Sequence, residues 1–137
     1  MNAPGVLLDT GPLVAFLSAN DNHHERAKRL FDTCEAPFRT CEAVLAEACF
    51  LMQRVDANGP AEIVALGRSG LYDVALSVDD HWAEIEALLR KYASRRISLA
   101  DACLIRCAEL HEDARVLTFD SDFRVYRWHK RKTFHIL

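Results

Sequence analysis

The sequence predicts an α/β fold with a mainly parallel central sheet wrapped by helices, and two observations carry that expectation. Short apolar runs that do not alternate, such as Val6-Leu7-Leu8 and Val116-Leu117, read as strands buried on both faces. Helical patterns separate one such run from the next, which is how parallel strands are connected. At 137 residues, half of them hydrophobic, the chain reads as one domain over residues 1–137 with a substantial core.

In chain order, residues 6 to 9 form a short buried strand. Thr10-Gly11-Pro12 then turns into a helix, with proline suited to its first position. A second helix runs from Asp21 to about Cys34, with Ala27, Leu30 and Phe31 facing inward and Asp21 as its cap. Residues 37 to 40 are extended. A helix from about Cys41 to Val55 carries an apolar stripe of Val44, Leu45, Ala48, Leu51, Met52 and Val55, and Asp56-Ala57-Asn58-Gly59-Pro60 stops it. Another helix covers residues 60 to 68, and Tyr72 to Leu76 is a strand. Asp79 opens a helix bearing Trp82, Ile85, Leu88, Leu89 and Tyr92. Ser98 to His111 is apolar on most sides and so is a buried helix. Residues 115 to 119 form a strand, and Phe134 to Leu137 is a last edge strand.

Composition narrows the function. A net charge of −3 argues against a generic polyanion binder, so any nucleic-acid contact comes from a local patch or from metals in an acidic pocket. The apolar runs are too short for a membrane span, and residues 1–5 lack the basic start of a signal peptide, so a cytoplasmic location is expected. Five cysteines form no Cys-x-x-Cys pair. Cys103 and Cys107 share a helix face, as zinc ligands or, the favoured reading, as small buried hydrophobes.

Acids carry the chemistry. Asp9 and Asp120 each follow an apolar strand, and the carboxyl ends of neighbouring strands are where open α/β sheets bind ligands. Glu47 lies about a quarter-turn from the centre of its helix's apolar stripe and should border the core, while Glu42 is an auxiliary candidate. Asp101 begins the buried helix. Carboxylates beside apolar core need a partner, and four converging ones call for a cation; their hard oxygens suit Mg2+ or Mn2+. Each position also has a plain structural reading. Asp9 suits an Asx turn, Ser98-Leu99-Ala100-Asp101 is a helix-capping pattern, and Asp120-Ser121-Asp122 suits a capped turn. Asp120 is the better ligand of that last pair and Asp122 the secondary one, with Thr118 placed to hold a carboxylate or a bound water.

The stretches Leu7-Leu8-Asp9-Thr10-Gly11-Pro12-Leu13, Ala43-Val44-Leu45-Ala46-Glu47-Ala48, Leu99-Ala100-Asp101-Ala102 and Leu117-Thr118-Phe119-Asp120-Ser121-Asp122-Phe123 resemble, in order and spacing, PIN-domain ribonucleases close to the VapC-like toxins. The resemblance spans roughly residues 6 to 137. It implies a three-layer α/β/α fold, RNA cleavage dependent on Mg2+ or Mn2+, dimerisation, and a partner antitoxin of a type II toxin–antitoxin pair. The family's acidic quartet falls on Asp9, Glu47, Asp101 and Asp120, with Asp122 as a possible fifth member.

RNA would also need cations. Arg124, Arg127, Lys130, Arg131 and Lys132, interleaved with Tyr126 and Trp128, form the only dense basic-aromatic stretch. It reads either as a substrate contact, through Arg124, Arg127 and Lys130 with Thr118, or as a solvated edge hairpin. Arg95 and Arg96 are a second candidate pair. The six histidines are scattered and none adjoins these motifs. Two rivals remain. A phosphoaspartate phosphatase wants a second aspartate where Gly11 stands, and a non-catalytic RNA- or protein-binding module would have no use for four acids in an apolar pocket.

Overall fold

The computed structural model describes all of residues 1–137. Strands β1 (Leu7–Leu8), β2 (Phe38–Thr40), β3 (Tyr72–Val74), β4 (Arg115–Leu117) and β7 (His135–Ile136) form one sheet in the order β3-β2-β1-β4-β7, with every pairing parallel. Helices α1 (Thr10–Leu17), α2 (His24–Asp32), α3 (Glu42–Met52), α4 (Gly59–Arg68), α5 (Trp82–Lys91) and α6 (Leu99–His111) wrap it.

Successive residues of a strand point to opposite faces, and here each face has its own core. Leu7 and Val116 join Ile85, Leu88 and the apolar side of α6, whereas Val6, Leu8 and Leu117 join Leu13, Phe31 and Ile63. α3 belongs to both layers: Cys41 and Val44 pack into the first core, Ala48 and Met52 into the second. It thereby crosses the carboxyl edge of the sheet, which brings Glu47 to the place where β1 and β4 end.

Several boundaries differ from expectation. α2 starts at His24 because the Asp21 carboxylate accepts the His23 N–H (2.8 Å) in a turn, so it does not cap the helix. α3 ends at Met52, leaving Leu51 and Val55 exposed outside the expected buried stripe. The chain reverses there, with Gly59 of α4 lying directly on Met52. Helices do not separate all strands: between β4 and β7 come a 3-10 turn (Ser121–Arg124) and an antiparallel hairpin, β5 (Arg127–Trp128) with β6 (Lys132–Thr133). The basic-aromatic stretch is therefore an edge hairpin. All five cysteines are free thiols, with Cys103 and Cys107 in the core.

Candidate active site

Along the sheet, the chain steps from β1 outward through β2 to β3, then returns to β4 on the other side of β1. The order reverses between β1 and β4, and a crevice opens outside the carboxyl ends of strands at such a switch point. Asp9 and Thr118 are the first residues beyond those two strands. The Asp9 N–H donates to the Leu117 carbonyl (3.1 Å), and the Thr118 hydroxyl donates to Asp9 Oδ2 (2.6 Å). Asp9 Oδ1 accepts the Thr10 N–H (2.8 Å) at the start of α1. The turn role foreseen for Asp9 is thus real, and the residue lines the crevice with both carboxylate oxygens hydrogen-bonded.

The other acids arrive on separate elements. Asp101 sits in the first turn of α6, where Ser98 Oγ caps the helix by accepting the Asp101 N–H (3.0 Å). Its carboxylate is buried and accepts the Tyr126 hydroxyl (3.0 Å). The capping pattern and a cleft carboxylate therefore coexist. Glu47 is exposed and does not border the core, because α3 turns that face toward the crevice mouth; its Oε2 accepts the Thr10 hydroxyl (3.1 Å). Asp120 accepts the Asp122 N–H (2.8 Å), as a capped turn would, and its own N–H donates to Thr118 Oγ1 (3.0 Å). Glu42 is exposed on the first turn of α3.

Asp9, Glu47, Asp101, Asp120 and Asp122 line one cavity of about 420 Å3, with Arg96 the only lysine or arginine in its wall. Asp122 is partly neutralised from outside by Arg95 Nη1 at 3.0 Å. Burial pushes the Asp101 carboxyl up to about 7, and the negative charge of Asp9 adds to the shift despite the opposing bond from Tyr126. Burial likewise raises Asp9, with the charges of Asp120 and Glu47 pushing the same way while bonds from Thr118 and Thr10 pull it back. Burial and the neighbouring Asp101 charge push the Tyr126 phenol well above its usual range, so it stays a donor. Like charges crowding a partly dry cavity is an arrangement a cation would relieve.

The donor set fits a divalent cation of the magnesium type. All five side chains offer hard oxygen. No three of them are close enough to enclose an ion between them, but Mg2+ is commonly held by one or two carboxylates with water and substrate phosphate completing the octahedron. Asp9, which lines the crevice, and its neighbours Asp101 and Asp120 are the residues placed to do this.

Of the remaining candidates, Thr118 is buried, and its hydroxyl is committed to Asp9 and Asp120, so it positions carboxylates and does not face substrate. Arg124 is exposed and outside the cavity wall, and Arg127 and Lys130 line a different cavity. Arg96, of the second candidate pair, lines the same cavity as the acids. Sequence reasoning missed Thr10 and Tyr126 as supports. Tyr126 was grouped with the basic hairpin but is fully buried, packed edge-on to Phe123 (5.1 Å). The spacing Phe123-x-x-Tyr126 was the one available sign of a shared inward face. None of the histidines lines the cavity.

Curated protein sequences give no significant match to the chain. Among solved structures, the crystal structure of Mycobacterium tuberculosis VapC20, described as a sarcin-ricin loop cleaving toxin, is similar at a TM-score of 0.73 and 21% identity, covering 93% of this chain and 99% of that one. That likeness shows a common fold. Residues 6–128 match the PIN domain family, nearly the whole chain and all five cavity acids, and the chain belongs to that family.

Proposed function

We propose that this chain, as a single domain over residues 1–137, is a Mg2+- or Mn2+-dependent endoribonuclease that hydrolyses RNA phosphodiester bonds. The observation that carries the reading is the convergence of Asp9, Glu47, Asp101 and Asp120 on one cavity at the switch point of a PIN-family sheet. A bound divalent ion would supply charge neutralisation at the phosphate and acidify water for attack. The protein's part is placement. Thr10 and Thr118 fix Asp9 in one orientation, and Ser98 and Tyr126 fix Asp101, so that both present oxygen to the cation without rearrangement. Glu47, more exposed and tied only by the Thr10 hydroxyl at Oε2, is free to orient water or take its proton at Oε1. Arg96 can meet the negative phosphate at the cavity rim.

The biological setting we propose is the toxin of a type II toxin–antitoxin pair in the cytoplasm, in line with the likeness to VapC20. No helix is long and apolar enough to cross a membrane. An antitoxin and a second copy of the chain are the proposed protein partners. The exposed apolar side chains Phe50, Leu51, Val55 and Val64 around α3 and α4 give them a surface to bury.

The test is cleavage of a mixed RNA pool, and of an RNA carrying the sarcin–ricin loop, by purified protein with Mg2+, Mn2+ or EDTA. Cleavage should require metal and vanish in Asp9→Asn and Asp101→Asn. Metal-independent cleavage, or equal activity in both variants, would refute the assignment.

A further inference from the structure

We propose that a second cavity, on the opposite side of the Tyr126–Arg127 segment from the carboxylates, docks the phosphodiester backbone of RNA. The choice of RNA as ligand rests on the ribonuclease reading. The cavity measures about 450 Å3 and lies between α5, α6 and the β5–β6 hairpin. Four cations line it, each from a different place: Lys91 at the end of α5, Arg106 in α6, Arg127 in β5 and Lys130 in the hairpin turn. In a chain of net charge −3 this is a local reversal of sign.

The two acids in its wall do not cancel it. Glu109 pairs with Arg106 Nη1 (3.1 Å) and also accepts the His129 N–H (2.8 Å), and Glu84 offsets one further charge, so the wall keeps a positive excess carried by Lys91, Arg127 and Lys130. Lys130 has no acidic partner, and neither does Lys91, whose ammonium reaches the Lys130 carbonyl at 3.4 Å and lies 5.2 Å from the Tyr92 ring centre. Arg127 is preset: its Nη1 donates to the carbonyls of Arg124 (2.8 Å), Val125 (2.9 Å) and Tyr126 (2.9 Å), which leaves its Nε and Nη2 donors unused. Because Glu109 and Lys91 also pin the turn, with His129 and Lys130 at φ 46° and 69°, the cations face one another in a fixed frame. The positive excess left by Lys91, Arg127 and Lys130 attracts an anion, and phosphate oxygens accept from such donors well.

Three features favour a polymer over a free ion. A volume of 450 Å3 equals that of about fifteen liquid waters at roughly 30 Å3 each, more than one phosphate fills. Next to Arg127 in the chain, Trp128 is half-buried and carries the Lys132 ammonium 4.7 Å from its ring centre, which adds a fifth cation to the hairpin. The site also adjoins the acids through the chain itself: Tyr126 bonds to Asp101 while the next residue, Arg127, lines the cationic wall and donates its N–H to Tyr92 (2.9 Å). The two cavities thus meet at adjacent residues of one segment, Tyr126 in the wall of the acidic one and Arg127 in the wall of the cationic one.

The experiment is fluorescence anisotropy of a labelled single-stranded RNA in EDTA, where no cleavage occurs, between 50 and 200 mM salt. Wild type is compared with Lys91→Ala/Lys130→Ala, two exposed positions whose change leaves the core intact. Removing two phosphate contacts should weaken binding and flatten the plot of log affinity against log salt by about 1.4, at ~0.7 per contact on single strands. An unchanged slope and affinity would overturn the proposal. So would binding of inorganic phosphate that the double variant loses while RNA binding stays at wild-type strength. RNA binding with the expected slope change but no metal-dependent cleavage would uphold this docking site and defeat the ribonuclease reading instead.

Discussion

Replacing Asp101 with asparagine keeps the shape of the side chain and removes a charge that the fold holds at a cost. The Asp101 carboxyl rises from 3.8 to about 7 in the folded chain, so between those values the folded state binds a proton that the unfolded state does not. Stability of the metal-free protein therefore falls as pH rises through that window, and the whole cost is present above pH 7. About three units at ~1.4 kcal/mol each set a ceiling of about 4 kcal/mol. Access to cavity solvent and a weaker bond from Tyr126 to an amide reduce this to ~2–3 kcal/mol. In a domain of this size that is a rise in Tm of roughly 6–12 °C. Thermal melts in EDTA should show Asp101→Asn clearly above wild type at pH 8, and the two converging near pH 4.5. Adding Mg2+ should then raise the wild-type Tm, because binding to the native state shifts unfolding, and leave the variant nearly unmoved. Coincident melting curves at pH 8 without metal would show that Asp101 is not under electrostatic stress, and the argument for a cation there would lose its main support.

Two further substitutions probe the supports and the frame. Thr118→Val keeps the buried volume but strips the partner from Asp9 Oδ2 and from the Asp120 N–H; it should cost ~1–3 kcal/mol in urea unfolding and weaken Mn2+ binding by roughly 10- to 100-fold in calorimetric titration. Gly59→Ala would place a methyl 2.8 Å from Met52 Cβ, at the close crossing of α3 and α4. Its urea midpoint should fall by the equivalent of ~1–3 kcal/mol with RNA cleavage per folded molecule unchanged.

The strands, their order of appearance and the acids were legible because each is written locally. Val6-Leu7-Leu8 is apolar at every position since Leu7 and Leu8 face different cores, and the acid follows where the strand ends. Ser98 announces α6 by its capping bond. What local pattern did not reveal was set by tertiary packing. Leu51 and Val55 continue a helical stripe, but the chain turns at Met52 to begin α4, so they end in solvent. Glu47 was placed at the core border by angle alone, whereas the side of α3 it occupies faces a gap between elements and not another apolar surface. Tyr126 stood in a basic run and was assigned to its surface; its position is decided by Phe123, Tyr92 and Asp101, none of which a neighbour-by-neighbour reading connects to it.

The way these acids are held also separates their roles. Asp9, Glu47 and Asp101 receive their hydrogen bonds from Thr10, Thr118 and Tyr126, which are neutral, and no lysine or arginine pairs with them. Neutral donors fix the direction of a carboxylate yet leave its charge standing. A guanidinium in the same place would fix the direction and cancel the charge, and a divalent cation would then gain little by binding. Asp122 is treated that second way, by Arg95 at 3.0 Å, and its pull on a metal is correspondingly reduced. The raised proton affinity of Asp101 and Asp9 follows from the first treatment: charge that the fold orients but does not neutralise is taken up by protons when no metal is present. Binding a metal must therefore displace protons, so affinity for Mg2+ or Mn2+ should rise with pH through the range where Asp101 titrates. A site meant only to cap α1 and α6 would need no such stress, since serine or threonine caps a helix as well without carrying a charge.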